Sequence, residues 1–153
     1  MCIAKTAFNA IFRPSKHSFT PKTPFAEKVM GPNFKHLYDT SSAASRLVKT
    51  WDKEIIPVNT FDSLTLEGWF YTAGENARDT AILVHGYNSS PMGDMSAIMH
   101  FYLRRGINVL LTNTRGGKTS VGNNITFGLY VRLDTALWVD NLTERFPDGR
   151  SFL

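Results

Sequence analysis

The stretch DTAILVHGYNSSPMGDM, residues 79–95, is the most informative part of this sequence about its fold class. It opens with an apolar run at residues 81–84 and becomes polar after His85 and Gly86. A run that is apolar on both faces is typical of a central strand in a parallel sheet, because helices cover both sides of such a sheet. A glycine at the end of such a strand lets a main-chain N–H approach a ligand with no Cβ atom in the way. We therefore expect a binding site at this strand end, where open α/β sheets bind their ligands.

The elements on either side of this stretch complete an α/β pattern. Apolar residues from Met95 to Leu103 recur at helical spacing, and Arg104-Arg105-Gly106 is a typical helix end. INVLLTN, residues 107–113, is a second strand that is apolar on both faces. Strand, helix and strand within about thirty residues form a βαβ unit. The predicted fold class is therefore α/β.

Further elements are predicted before and after this unit. EIIPVNTF (54–61) and LTLEGWFYT (64–72) alternate as an antiparallel strand pair joined by a turn at Asp62-Ser63. Upstream, Asp39 and Thr40 are candidate caps for a short helix over residues 41–51. Downstream, a long helix is predicted from about Phe127 to Arg145. Its expected buried stripe consists of Tyr130, Leu133, Leu137, Trp138 and Leu142.

Composition indicates one globular domain with a basic extension. The chain has 153 residues, of which 42% are hydrophobic and 20% charged, a balance typical of globular proteins. Most of the net charge of +4 lies in residues 1–50, singly among prolines, serines and threonines. Nucleic-acid modules cluster such charge on one face, so we expect no nucleic-acid partner. The predicted division is an extension at residues 1–50 and a folded unit at residues 51–153.

The amino-terminal residues bear on localisation. No apolar run reaches the length of a membrane span, and the first residues do not form a signal peptide. The sequence as written predicts a cytoplasmic protein; the alternative is anchoring at the cell surface through a segment upstream. Ala7, Phe8, Ile11 and Phe12 form one apolar face, which either docks on the protein body or touches a membrane surface. The pattern favours docking.

Three motifs in order resemble the first half of an α/β-hydrolase. They are AILVHGYNSS (81–90), LRRGINVLLTNTRGGKTS (103–120) and GNNITFGLYVRLDTALWVDNL (122–142). More narrowly, the chain from about Trp51 onward is similar to cell-surface serine hydrolases of Gram-positive bacteria. The resemblance implies that His85, Gly86 and Tyr87 form the oxyanion-hole loop, with the amide of Tyr87 as one donor. It also implies that His85 braces this loop and is not the catalytic base.

The loop after the second parallel strand differs from the family pattern. The family usually carries Asp-x-Arg-Gly-His-Gly-x-Ser there, whereas this chain has NTRGGKTS, residues 113–120. Asn113, Arg115, Gly116 and Ser120 are the candidate site residues of this loop. Asp134, in the long helix, matches the family.

The catalytic groups of such a hydrolase have no counterpart in these residues. A serine nucleophile requires Gly-x-Ser-x-Gly after a strand, with an acid and a histidine later in the chain. Ser120 has Lys118 in place of the first glycine, and no histidine follows it. We therefore predict no catalytic residue, no metal and no cofactor, and expect an inactive amino-terminal fragment of an enzyme for small ester or amide substrates. An interrupted gene or a separated second half would explain it.

The hypothesis that the chain is an amino-terminal fragment also predicts self-association. In the family's sheet order, the strand at residues 80–85 lies beside the strand that precedes the nucleophile. Without that neighbour its edge is unpaired, and unpaired strand edges recruit other chains.

Two other functions remain open. Gly117-Lys118-Thr119 after an apolar strand imitates the end of a phosphate-binding loop, although Thr112 stands where the first glycine belongs and a loop follows in place of a helix. The other alternative is a non-catalytic binding or scaffold protein that retains part of the hydrolase fold.

Overall fold

The structure is a computed structural model that describes residues 3–14, 28, 30–117 and 119–153. The segment between Phe12 and Phe34 contains four prolines, which favour an extended arm or loop over a long helix, and most of it lies outside these residues. The helices are α1 (Ile3–Phe12), α2 (Phe34–Val48), α3 (Pro91–Leu103) and α4 (Val131–Arg145). The strands are β1 (Glu54–Asn59), β2 (Thr65–Tyr71), β3 (Thr80–Val84), β4 (Asn108–Thr112) and β5 (Ser151–Phe152).

The five strands form one sheet in the order β1-β2-β4-β3-β5. β1 and β2 pair antiparallel, and β2 pairs antiparallel with β4. β3 lies parallel to β4 along its whole length, from Thr80 opposite Asn108 to Val84 opposite Thr112. The predicted α/β class, the antiparallel strand pair and the βαβ unit are confirmed.

The core lies on both faces of this sheet, and β3 and β4 contribute to each face in alternation. On one face Leu83 and Leu111 pack in a cluster with Met99 of α3. On the other face Ile82 and Leu110 pack in a cluster with Trp138 of α4. This arrangement explains why the central residues of both strands are apolar on both faces. Val48, the last residue of α2, is fully buried in the first cluster, so the predicted extension contributes to the core.

Two helices begin earlier than predicted. α2 starts at Phe34, so Asp39 and Thr40 lie inside the helix and do not cap it. α3 starts at Pro91 and not at Met95, because the Ser90 hydroxyl accepts a hydrogen bond from the Gly93 N–H and proline suits the first helical position.

The buried stripe of α4 differs from the prediction at its first turn. Trp138 and Leu142 are buried as expected, but Leu133 is 38% exposed. Asp134 and Thr135 are buried in its place. The reason is that Asp134 pairs with a buried arginine, and this pair fixes which side of the first turn faces the protein.

The edge of the sheet at β3 is partly covered. β5 pairs with β3 at two positions, Thr80 opposite Ser151 and Ala81 opposite Phe152. β5 has no residue paired with β3 beyond Ala81 within the described ranges, although the side chains of Ile82 and Leu83 are buried. The open part is therefore a short backbone edge and not an apolar face. Self-association along it stays a prediction.

In the described ranges, no helix has both the length and the apolar character needed to cross a bilayer.

Candidate functional site

A pocket of about 240 Å³ lies at the carboxyl ends of the parallel strands β3 and β4. The loop after β3 and the loop after β4 line it together with the segment that leads into α4. Its principal lining residues are His85, Gly86, Tyr87, Arg115, Gly116 and Phe127. Parallel strands of an open sheet bind ligands at this edge, so the pocket is the candidate functional site.

His85 connects the two strand-end loops. Its ring is almost fully buried, and Nδ1 lies 2.9 Å from the carbonyl oxygen of Gly86. A carbonyl only accepts, so Nδ1 carries the proton and Nε2 accepts a hydrogen bond from the Thr114 hydroxyl at 2.8 Å. Burial lowers the pKa of His85 below its usual value, which favours the neutral ring that this pattern requires. His85 therefore hydrogen-bonds within its own loop and to the loop after β4, which are the bonds expected of a residue that braces the loop.

Asp94 holds the same loop from the first turn of α3. Its carboxylate accepts hydrogen bonds from the Gly86 N–H at 2.9 Å and from the Ser89 hydroxyl at 2.5 Å. Asp94 was not predicted as a site residue. The available signal was an acidic residue soon after the Ser90-Pro91 helix start, where a carboxylate is stabilised by the helix dipole.

The hydroxyl, the ring and the main-chain N–H of Tyr87 each have different surroundings. Its side chain is 52% exposed, and the hydroxyl donates a 2.7 Å hydrogen bond to the carbonyl oxygen of Ile11. Its ring stacks on Phe127 with a centroid distance of 5.2 Å. Its main-chain N–H has no hydrogen-bond acceptor among the described residues.

Arg115, which lines the pocket, is the centre of a charged cluster. Its Nε and Nη2 atoms each donate to one carboxylate oxygen of Asp134 at 2.7 Å. Nη1 and Nη2 also donate to Asp62, at 2.7 and 3.1 Å. These hydrogen bonds from Arg115, followed by one from Thr60, lower the pKa of Asp62 to about 2. The Arg115 guanidinium is thus compensated by two carboxylates.

Two glycines let the loop after β4 pass close to its neighbours. Gly116 has a φ of +67°, and a Cβ atom there would clash with the main-chain oxygen of Asn124. A Cβ at Gly117 would lie 2.9 Å from the Thr114 oxygen and 3.0 Å from the His85 ring. Both positions require glycine for these reasons.

Asn113 and Ser120, predicted to belong to this site, line a separate cavity of about 100 Å³. The Thr119 hydroxyl donates to Asn113 Oδ1 at 2.6 Å, and the Ser120 hydroxyl donates to the Asn113 carbonyl at 3.2 Å. The structure therefore brings His85, Gly86, Tyr87, Arg115 and Gly116 together and leaves Asn113 and Ser120 outside.

The residues of the phosphate-loop alternative are only partly described, because Lys118 lies outside the described ranges. The next helix after Thr119 is α4, which begins at Val131. No group of three or more histidine, cysteine, aspartate or glutamate side chains that could hold a metal ion occurs in the described ranges.

Comparison with known proteins identifies similar structures but no sequence relative. No protein-family model and no curated protein matches the sequence. A Pyrococcus furiosus esterase, Pf2001, superposes with a TM-score of 0.59, at 24% identity over 92% of this chain and 44% of the esterase. A second crystal form of that esterase gives a TM-score of 0.58 and 25% identity, covering 88% of this chain and 43% of the esterase. DcsB, solved in complex with a substrate analogue, gives a TM-score of 0.58 and 20% identity over 67% of this chain and 36% of DcsB.

The chain thus spans less than half the length of these proteins. The sheet of this chain combines an antiparallel first pair with a parallel β4-β3-β5 portion. The chain therefore has the fold of the amino-terminal half of an α/β-hydrolase.

Proposed function

We propose that this chain provides the oxyanion-hole half of a serine-type hydrolase for small ester or amide substrates, with the N–H of Tyr87 as one oxyanion donor. The observation that carries the proposal is the loop after β3. It is fixed by hydrogen bonds to both sides of Gly86, while the next N–H along the chain has no acceptor among the described residues.

The chemistry requires such a donor. Attack on an ester or amide carbonyl places negative charge on its oxygen, and donors that are already oriented stabilise that charge without reorganising. The Asp94 carboxylate and the His85 ring hold Gly86 from either side. They therefore restrain the main chain immediately before the Tyr87 N–H.

The lining of the pocket supports an uncharged substrate. Apolar side chains of Val84, Ile125 and Val131 contribute to the wall. The Arg115 guanidinium is engaged by Asp62 and Asp134 and has little remaining capacity to bind a substrate anion. The esterase activity named for the Pyrococcus furiosus neighbour agrees with a neutral ester or amide as the substrate class.

The nucleophile, acid and base are assigned to sequence outside these 153 residues. The chain contains no Gly-x-Ser-x-Gly, and in the resembling family this turn follows the strand beside the His-Gly strand. β5 lies beside the His-Gly strand β3 in the sheet, the position of the strand that this turn follows. Alone, the chain is expected to be inactive.

The test begins with the nucleotide sequence after the Leu153 codon, which should encode a strand followed by Gly-x-Ser-x-Gly in one of the three frames. The joined protein should hydrolyse p-nitrophenyl butyrate.

Tyr87→Pro removes the main-chain N–H, whereas Tyr87→Ala keeps this N–H and removes the same ring. The proline variant should be slower than the alanine variant by about 10²–10³ in kcat, the usual effect of one oxyanion donor. Equal rates in the two variants, or an unrelated downstream sequence, would contradict the proposal.

A further inference from the structure

We propose that the amino-terminal helix α1 is a clamp that positions the oxyanion loop by joining it to the segment before α4. The inference rests on the proposed function for its catalytic meaning. The contacts that carry it involve the last turn of α1, the Tyr87 loop and residues 125–127.

The body of the protein caps the carboxyl end of α1. The last carbonyl groups of a helix have no donor within the helix, and α1 ends at Phe12. The Ile11 carbonyl accepts the Tyr87 hydroxyl at 2.7 Å, and the Phe12 carbonyl accepts the Ile125 N–H at 2.6 Å. Two adjacent carbonyl groups are therefore bound by two different loops that line the pocket.

A chain of aromatic rings follows the same path. Phe12 meets Phe127 edge-on at 5.4 Å, and Phe127 stacks on Tyr87 at 5.2 Å. Phe8 stacks on Phe12 at 4.7 Å and extends the chain along the helix. Phe127 has a φ of +46°, a region that bulky side chains rarely adopt and that persists where surrounding contacts hold it.

The helix is held by its end and not by general burial. No α1 residue is fully buried, and Phe8 and Ile11 are 45% and 48% exposed. No α1 residue lines the pocket, so the helix does not occupy the ligand space. Its contacts fix the relative placement of the two loops, which is the property that an oxyanion donor requires.

The exchange rate of the Gly86 N–H tests this coupling in the full chain. This proton is bound to Asp94 and does not touch α1, so its exchange changes only if the loop itself loosens. Tyr87→Phe removes the hydrogen bond to Ile11 and keeps the ring. It should raise Gly86 exchange by about fivefold, the factor expected for one ordinary hydrogen bond. Phe12→Ala should raise the Gly86 exchange rate as well. Phe12→Tyr keeps an aromatic ring and should exchange at the wild-type rate.

Tyr38→Phe is the matched control, because it removes an exposed tyrosine hydroxyl from α2 and should leave Gly86 exchange unchanged. Exchange within β4 should stay constant in all variants, which separates the clamp from a general loss of stability. Faster exchange in residues 3–12 with an unchanged Gly86 rate would overturn the proposal. Because the experiment needs no catalysis, its failure is distinct from equal rates of Tyr87→Pro and Tyr87→Ala in the joined protein.

Discussion

The two strand-end loops that line the pocket are held in opposite ways. In the loop after β4, Arg115 is 4% exposed and engages two carboxylates. In the loop after β3, Tyr87 is 52% exposed and keeps a main-chain N–H with no acceptor among the described residues. In the first loop, the polar group is engaged by other residues of the protein. In the second loop, one main-chain N–H stays available, which is what a site for a developing negative charge requires.

The difference predicts that stability depends on the first loop and chemistry on the second. Buried charges are costly when a partner is lost, whereas exposed contacts contribute little. Substitutions in the Arg115 cluster should therefore destabilise the fold, while substitutions at Tyr87 should leave the fold intact.

Arg115→Met should lower the free energy of unfolding by about 3–5 kcal/mol, because it leaves Asp134 buried and without its partner. Arg145→Met is the matched control. Arg145 also pairs with a carboxylate through two bonds of 2.6 Å, to Glu54, but both side chains are substantially exposed. That variant should lose about 0–1 kcal/mol. Urea denaturation measures both, and similar losses would show that the Arg115 cluster is not special.

Gly117→Ala should cost about 1–3 kcal/mol, the usual range for an added group in a tightly packed place. The new methyl group would lie 3.0 Å from the His85 ring. The imidazole resonances of His85 should shift in the NMR spectrum along with the loss of stability. An alanine variant as stable as the wild type, with unchanged His85 resonances, would mean that the two loops are not in close contact.

The pH dependence of stability should include a contribution from His85. Burial lowers its pKa below the unfolded value of 6.5, so the unfolded chain binds a proton more readily than the folded chain does. The stabilisation is present above about pH 6.5 and is lost as the pH falls towards the folded pKa. His85→Gln, which does not titrate, should flatten the stability profile between about pH 7.5 and 5.5. Parallel profiles would contradict the buried, neutral state of His85.

Tyr87→Ala should lower the free energy of unfolding by only about 1–2 kcal/mol, less than Arg115→Met. The variant loses one hydrogen bond and one exposed ring stack, each of which contributes on the order of 1 kcal/mol at most. Thermal unfolding beside Arg115→Met gives the comparison directly. If Tyr87→Ala were the more destabilising of the two, the proposed division between the loops would be reversed.

β3 and β4 could be predicted from the sequence because burial on both faces of the sheet requires consecutive apolar residues in each strand. The central residues of β3 and β4 are apolar, and the residues at the end of β3 indicated where the pocket lies. The same reasoning placed Leu133 in the core, because apolar spacing carries no information about an ion pair that buries Asp134 beside it.

The missed contacts join residues that are distant along the chain. Asp62 lies 53 residues from Arg115, and Tyr87 lies 76 residues from Ile11. Asp62 was interpreted as turn chemistry, a local role that its sequence neighbours support and that does not reveal the arginine. The amino-terminal apolar face was expected to dock on the protein body, but only the end of the helix is joined to it, through the Ile11 carbonyl and the Phe12 ring. The side chains of Phe8 and Ile11 stay about half exposed. The loops that contact this end could not be inferred, because they lie far from it along the chain.

We propose that these 153 residues contain the oxyanion-hole half of a hydrolase and not its nucleophile. Labelling of the purified chain with a fluorophosphonate probe, followed by mass spectrometry, distinguishes the two possibilities. We expect no labelled serine and no hydrolysis of p-nitrophenyl butyrate above a buffer control. A serine labelled in the folded chain, with the labelling lost on denaturation, would contradict the claim and place a nucleophile within this half.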